Sequence, residues 1–227
     1  MRVAQASESS VIVYLGEGIS VEANGRVLRL FHALAALGDA RIRNLHPAYH
    51  SLLIDFDPLQ LSFEEFPQLL DGCYCEAEAA ASEPTRLVKI PVCYHADFAA
   101  DLHVIAAHAG LAPEEAVRRH AAAEYSVYFL GFAPGFAYLG GLPPELRVPR
   151  LASPRKFVAA GSVGIAGAQT GIYPNDSPGG WQLIGRTPLS MFDSAAASPS
   201  RLQPGDRVRF VAIGRAEFDR IAREQHP

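Results

Sequence analysis

Between Gly161 and Phe192 the chain reads GSVGIAGAQTGIYPNDSPGGWQLIGRTPLSMF, and most of its candidate binding chemistry lies in this stretch. Gln169, Thr170 and Tyr173 place an amide, a hydroxyl and a phenol close together. Such groups exchange hydrogen bonds with a carbonyl, an amide or a carboxylate. The turn Ser177 to Gly180 then presents Trp181, the single tryptophan of the chain. An apolar wall with a few convergent polar groups is the usual composition of a small-molecule pocket. Glycine is costly in entropy, so it is used where φ must be positive or where another group must approach the main chain. Two readings are open for Trp181: a pocket wall, or a residue of the core.

The remaining candidates carry charge or aromatic surface. His120 can act as a general acid or base near neutral pH; placed near a helix C-terminus, it can equally serve the helix dipole. Arg155, next to Lys156, and Arg186, between Gly185 and Thr187-Pro188, can hold a carboxylate or phosphate through two parallel bonds. Surface charge or an internal ion pair is the alternative for both arginines. The run FLGFAPGF, Phe129 to Phe136, reads as a strand entering a tight turn. It sets Phe132, Phe136 or nearby Tyr138 either on a pocket wall or in a packed corner. Several chemistries find no support. The phosphate-loop pattern G-x-x-x-x-G-K-[ST] is absent. Gly161, Gly164 and Gly167 have the wrong spacing for a dinucleotide fingerprint. G-x-S-x-G does not occur. No biotin-acceptor sequence is present. Cys73-Tyr74-Cys75 is C-x-C with no second ligand pair, so no metal site is expected.

These residues need elements to position them. Val11 to Leu15 is β-branched and ends at Gly16, a strand. Val27, Leu30, Phe31, Leu34 and Leu37 recur at helical steps within Val21 to Leu37, and Gly38 stops the helix. Ile42 to Leu45 and Ser51 to Phe56 read as strands around a Pro47 turn. Ser62 to Leu70 reads as a helix capped by Ser62 with Glu65, although Pro67 weakens it. Thr85 to Cys93 is the next strand. The order is βαββαβ, so residues 1–94 are expected to form a ferredoxin-like domain in an α+β protein. Glu76 to Pro84 is acidic and Ala-rich, a loose helix end or a loop. Asp97 to Ala109 and Pro113 to Ala123 are two linking helices separated by Gly110. From Tyr125 to Ile213 short strands, Gly and Pro dominate, the texture of a closed barrel or sandwich. Ala216 to Arg223 is a short terminal helix.

A chain of 227 residues with 49% hydrophobic and 19% charged residues can bury a sizeable core. The net charge of −4 and the presence of only two lysines, Lys89 and Lys156, argue against a nucleic-acid groove. No apolar stretch reaches the length of a membrane span and no secretory leader is seen, so no membrane partner and a cytoplasmic location are expected. An odd number of cysteines in such a chain argues against a disulfide framework.

GSVGIAGAQTGIYP followed by SPGGWQLIGRTP is similar to the carboxyltransferase-domain, subdomain C and D family. Three further segments resemble that family in the expected order: YFLGFAPGFAYLGG from Tyr128, LASPRKF from Leu151, and PVCYHADFAADL from Pro91. The family includes the B subunit of the bacterial ATP-dependent 5-oxoprolinase, subunit 1 of allophanate hydrolase-type proteins, and KipI-type inhibitors of sensor histidine kinases. The resemblance implies a cyclophilin-like β-barrel in residues 95–227. It implies one component of an enzyme complex that opens 5-oxo-L-proline to L-glutamate with ATP, the ATP being used at the level of the complex. The 5-oxoprolinase C subunit is the expected partner, with the A subunit a further one. The alternatives it leaves open are kinase inhibition and an amidolyase whose biotin lies on another protein. His120, Arg155 and Arg186 are its candidate catalytic residues. Phe132, Tyr138, Gln169, Thr170, Tyr173 and Trp181 are the candidate substrate contacts.

Overall fold

The computed structural model describes residues 1–79 and 85–225. The chain divides into two compact units, Met1–Pro84 and Thr85–Pro227. In the first, β1 (Arg2–Ser7), β2 (Ser10–Tyr14), α1 (Val21–Leu37), β3 (Ile42–Pro47), β4 (Ser51–Phe56) and α2 (Phe66–Ala79) follow one another. The strands form an antiparallel sheet in the order β1-β2-β4-β3. Ser20 caps α1, its hydroxyl accepting the Ala23 N–H at 3.0 Å, and Gly38 ends it at φ 62°. One face of α1 buries Val27, Leu30 and Leu34 with Val11, Val13, Leu52 and Ile54 of the sheet and Phe66 and Leu70 of α2. Leu37, at the last turn, is half exposed. Glu65 accepts the Ser62 N–H at 2.8 Å, as the capping pattern requires. α2 starts only after a short 3₁₀ turn, which places Pro67 in its first turn, where a missing N–H costs nothing. The Glu76 to Pro84 stretch is helical through Ala79, and the rest of it lies outside the described residues.

The second unit contains β5 (Leu87–Cys93), α3 (Leu102–Ala109), α4 (Pro113–Ala122), β6 (Tyr125–Leu130), β7 (Ala137–Gly140), β8 (Arg155–Val158), β9 (Ser162–Ala166), β10 (Gln169–Ile172), β11 (Ser177–Gly179), β12 (Gln182–Arg186), β13 (Arg207–Ile213) and α5 (Arg215–Gln225). A closed barrel runs β10-β7-β6-β13-β5-β12-β9, with β8 and β11 as a separate ribbon. Its core gathers Ile90, Val92, Val127, Leu139, Ile165, Ile172, Ile184, Val208 and Phe210, and α3 and α4 add Ile105 and Ala116.

Two expectations are corrected. The strand expected to finish the first unit is β5, and β5 belongs to the barrel. It pairs in parallel with β13, from Leu87 opposite Arg207 to Cys93 opposite Ile213, and meets β12 at Arg186. The unit boundary therefore falls before β5 rather than after Tyr94. The first unit also has a strand that the sequence did not announce. β1 is polar and mostly exposed, without apolar alternation, so nothing local marks it. The order is ββαββα, not the expected βαββαβ. Local composition says that Leu87–Cys93 is a strand; its partner is a segment far along the chain, which local composition cannot name. Among the described residues, no helix is long and apolar enough to cross a membrane.

Candidate functional site

The glycine-rich stretch builds a bed for aromatic rings. Gly171 of β10 lies opposite Gly164 of β9. A Cβ on Gly171 would stand 3.1 Å from both Phe136 Cζ and Trp181 Cζ3, and one on Gly164 would stand 2.9 Å from Trp181 Cβ. Any larger residue would lift the rings off the sheet. Only at the turns are these glycines needed for their backbone freedom, as at Gly161 (φ 81°) and Gly167 (φ 56°). Successive residues of a strand face opposite ways. Gly171 thus faces the rings while its neighbour Thr170 faces His120.

Phe136 is the centre of the ring cluster. It meets Trp181 edge-on at 5.5 Å, Tyr173 at 5.5 Å and Tyr138 at 4.9 Å. Such edge-to-face pairs add about 0.5–1.5 kcal/mol each beyond the area they bury. A cleft of about 150 Å³ opens beside them, bordered by Phe132, Tyr138, Arg150, Tyr173, the Gly179–Gly180 backbone and Trp181. Cavities of this size, about 150 Å³, hold a single small ring. Phe132 is 61% exposed and has φ 68°, the one positive φ outside glycine among the described residues. The Ala133 N–H closes back on the Gly131 carbonyl at 2.8 Å, making a three-residue turn around it. A bulky residue at positive φ costs on the order of 1–3 kcal/mol and persists only where its surroundings impose it.

Arg150 reaches the cleft because the Leu151 N–H donates to the Gly180 carbonyl at 2.8 Å, pinning the connector beside Trp181. Its guanidinium lies 5.9 Å from the Trp181 ring centroid. It is exposed and forms no ion pair or side-chain hydrogen bond among the described residues. Burial pushes the Tyr138 and Tyr173 phenols above their usual range, against an opposing pull from Arg150. Both phenols therefore remain protonated donors at neutral pH.

Of the residues singled out from sequence, Phe132, Tyr138, Tyr173 and Trp181 meet at this cleft. His120, Arg155, Arg186, Gln169 and Thr170 do not border it. His120 is fully buried in the barrel core, stacked on Phe210 at 4.7 Å. The Thr170 hydroxyl donates to the Gly164 carbonyl at 2.9 Å, so it accepts from His120 Nε2–H at 3.2 Å. His120 Nδ1 is left to accept from the Tyr94 hydroxyl at 2.8 Å. Burial pushes its pKa down to about 3. The ring is neutral, both nitrogens are engaged, and no lone pair remains for a substrate proton or charge for the helix dipole. In this geometry His120 is a packed residue of the barrel core and lies apart from the cleft.

Arg155 is the internal ion pair of the two readings considered. Its Nη2 donates to both oxygens of buried Asp101 at 2.7 and 2.9 Å, and its Nη1 to the Trp181 carbonyl at 3.3 Å. Asp101 Oδ2 also accepts the Leu183 N–H at 2.6 Å. The pair holds the Trp181–Leu183 backbone, and with it the cleft wall. Arg186 donates from Nε to the Ala160 carbonyl at 2.7 Å and lies 5.7 Å from the Phe98 ring centroid, away from the cleft. Gln169 is buried on β10. The missed residue is Arg150. The only local signal was the connector motif itself, which drew attention to Arg155; Arg150 arrives through one backbone hydrogen bond between segments far apart in sequence.

The family described as "Carboxyltransferase domain, subdomain C and D" matches residues 1–202. The chain is 37% identical over 240 residues to the 5-oxoprolinase B subunit of Bacillus subtilis (strain 168), covering 99% of this chain and 98% of that protein. It is 42% identical over 205 residues to the 5-oxoprolinase B subunit of Escherichia coli O157:H7, covering 90% of this chain and 92% of that one. A crystal structure of TTHA0988, in space group P6522, matches with a TM-score of 0.80 and 40% identity over 90% of this chain. This chain spans 40% of that longer chain. By motif, fold and similarity along nearly its whole length, the chain belongs to the carboxyltransferase-domain family, subdomain C and D.

Proposed function

We propose that this protein is the B subunit of a cytoplasmic, ATP-dependent 5-oxoprolinase that opens the cyclic amide of 5-oxo-L-proline to L-glutamate. The observation that carries the reading is similarity to 5-oxoprolinase B subunits that runs nearly end to end in both chains. A lactam is a stable amide. Transfer of a phosphoryl group from ATP to its oxygen makes the ring carbon electrophilic; water adds there and the ring C–N bond breaks, the nitrogen leaving as the protonated amine, to give the γ-glutamyl phosphate. A second water then hydrolyses this acyl phosphate to L-glutamate and phosphate. In this reading the cleft holds the ring against Trp181 and Tyr173 while the two phenols donate hydrogen bonds to it. Holding a reactant in place is worth several kcal/mol of the barrier. This chain carries no phosphate-loop pattern, so ATP is assigned to the assembled complex and no residue here is given a role toward it.

Partners follow from the same reading: the C subunit of the enzyme, and also its A subunit. In TTHA0988 the matching fold is one part of a chain whose larger part lies outside the match, as is natural for a module that works beside others. The test is reconstitution. The chain with its C and A partners is expected to release glutamate from 5-oxo-L-proline only when ATP is present, and the chain alone is expected to release none. Full hydrolysis by the isolated chain, or none by the complex, overturns the proposal. A kinase-inhibitor protein gives no hydrolysis in either arm.

A further inference from the structure

We infer that Arg150 is the carboxylate anchor of the cleft, and that the cleft is built for a small ring bearing one carboxylate. The inference rests on the reading above and adds to it the residue that selects the substrate class. Among the described residues, Arg150 is the only ionised side chain bordering the cleft, and no acidic residue borders it. The charge at the cleft therefore favours an anion beside Arg150. Among the described residues the guanidinium has no carboxylate of its own, whereas Arg155, on the same connector, is committed to Asp101. Two donors of the fork can meet a carboxylate in one plane. The volume, about 150 Å³, suits a single ring. The remaining wall is aromatic: Trp181 and Tyr173 border the cleft, though only 6% and 2% exposed, so a ring seated there meets the small part of each that stays open. Phe132 supplies the cover. It stands at the cleft with most of its surface exposed and its backbone at positive φ. A strained, exposed aromatic gains buried area when a ligand fills the space beneath it.

The anchor assigns different work to Arg150 than a structural role would. Trp181 is the only tryptophan and borders the cleft, so its fluorescence in the full chain reports occupancy there. The wild-type chain is expected to bind 5-oxo-L-proline roughly 10- to 100-fold more tightly than 5-oxo-L-prolinamide, in which a carboxamide replaces the carboxylate, the range of a hydrogen bond to a charged group. Arg150→Met is expected to remove that preference by weakening the acid alone. Arg150→Lys restores part of it, and Arg147→Met, a charge-matched change at a neighbouring exposed position, leaves it intact. In the reconstituted complex Arg150→Met raises KM for 5-oxo-L-proline by a similar factor with a smaller change in kcat. Equal binding of acid and amide by the wild type, or an Arg150→Met variant that keeps the preference and the wild-type KM, overturns the inference. The two proposals fail separately. Absence of hydrolysis by the wild-type complex refutes the 5-oxoprolinase reading, and the fluorescence preference still decides the anchor. Normal hydrolysis with no effect of Arg150→Met refutes only the anchor.

Discussion

His120 makes the stability of the barrel depend on pH in a direction that can be worked out beforehand. Its folded pKa is about 3, against an ordinary value of 6.5, because the imidazole is buried. Between those values the unfolded chain binds a proton that the folded chain refuses. Stability attributable to this histidine is therefore fully present above about pH 6.5 and falls as pH drops, by about 1.4 kcal/mol per unit. At pH 5 the loss relative to pH 8 is about 2 kcal/mol. The figure is set by the unfolded value, since at pH 5 the folded ring is still neutral. Gln in place of His120 keeps a donor and an acceptor for Thr170 and Tyr94 without a titrating group. It forfeits the stack on Phe210, which costs on the order of 1–3 kcal/mol at pH 8. The assay is urea unfolding followed by Trp181 fluorescence at pH 8, 6.5 and 5, with the perturbation and the reporter in the same compact unit. All other titrating groups are common to the two proteins, so the difference in their pH dependence isolates His120. The wild type should lose about 2 kcal/mol more than His120→Gln between pH 8 and 5. Parallel pH profiles would refute the buried, neutral assignment and return His120 to the list of candidate acid–base residues.

Three further perturbations follow from the cleft and its supports. Arg155→Met leaves buried Asp101 with only the Leu183 N–H; it should cost roughly 2–3 kcal/mol, below the range for a fully buried pair because Arg155 is partly exposed, and thermal unfolding measures it. Gly164→Ala brings a methyl within 2.9 Å of Trp181 Cβ; it should destabilise by roughly 1–3 kcal/mol and shift Trp181 emission to longer wavelength, and unchanged emission would deny that Gly164 seats the ring. Phe132→Asn places at φ 68° a residue that tolerates this conformation; stability should stay within about 0.5 kcal/mol while turnover of the reconstituted complex falls, and wild-type turnover would remove Phe132 as the cover of the site.

What the sequence determined by itself was the family and most of the elements, β1 excepted. The helical spacing of Val27, Leu30 and Leu34 and the stop at Gly38 are local events, decided within a few residues of chain, and each appears where local chemistry puts it. The motif between Gly161 and Arg186 was legible for a similar reason: Gly164 meets Tyr173 and Trp181 and Gly179 meets Tyr173, contacts made within the motif itself. Long-range pairing was decided only in three dimensions. Leu87–Cys93 has the composition of a strand in either unit, and only its parallel register with Arg207–Ile213 makes it a barrel strand. The same holds for charge. Arg155, Arg186 and Arg150 are alike as residues, and all three can grip a carboxylate. Asp101 claims the first, the Ala160 carbonyl holds the second, and a backbone bond from Leu151 to Gly180 leaves the third over the cleft. His120 likewise has an ordinary pKa as a residue, and the barrel closing around it removes the solvent that a proton would need.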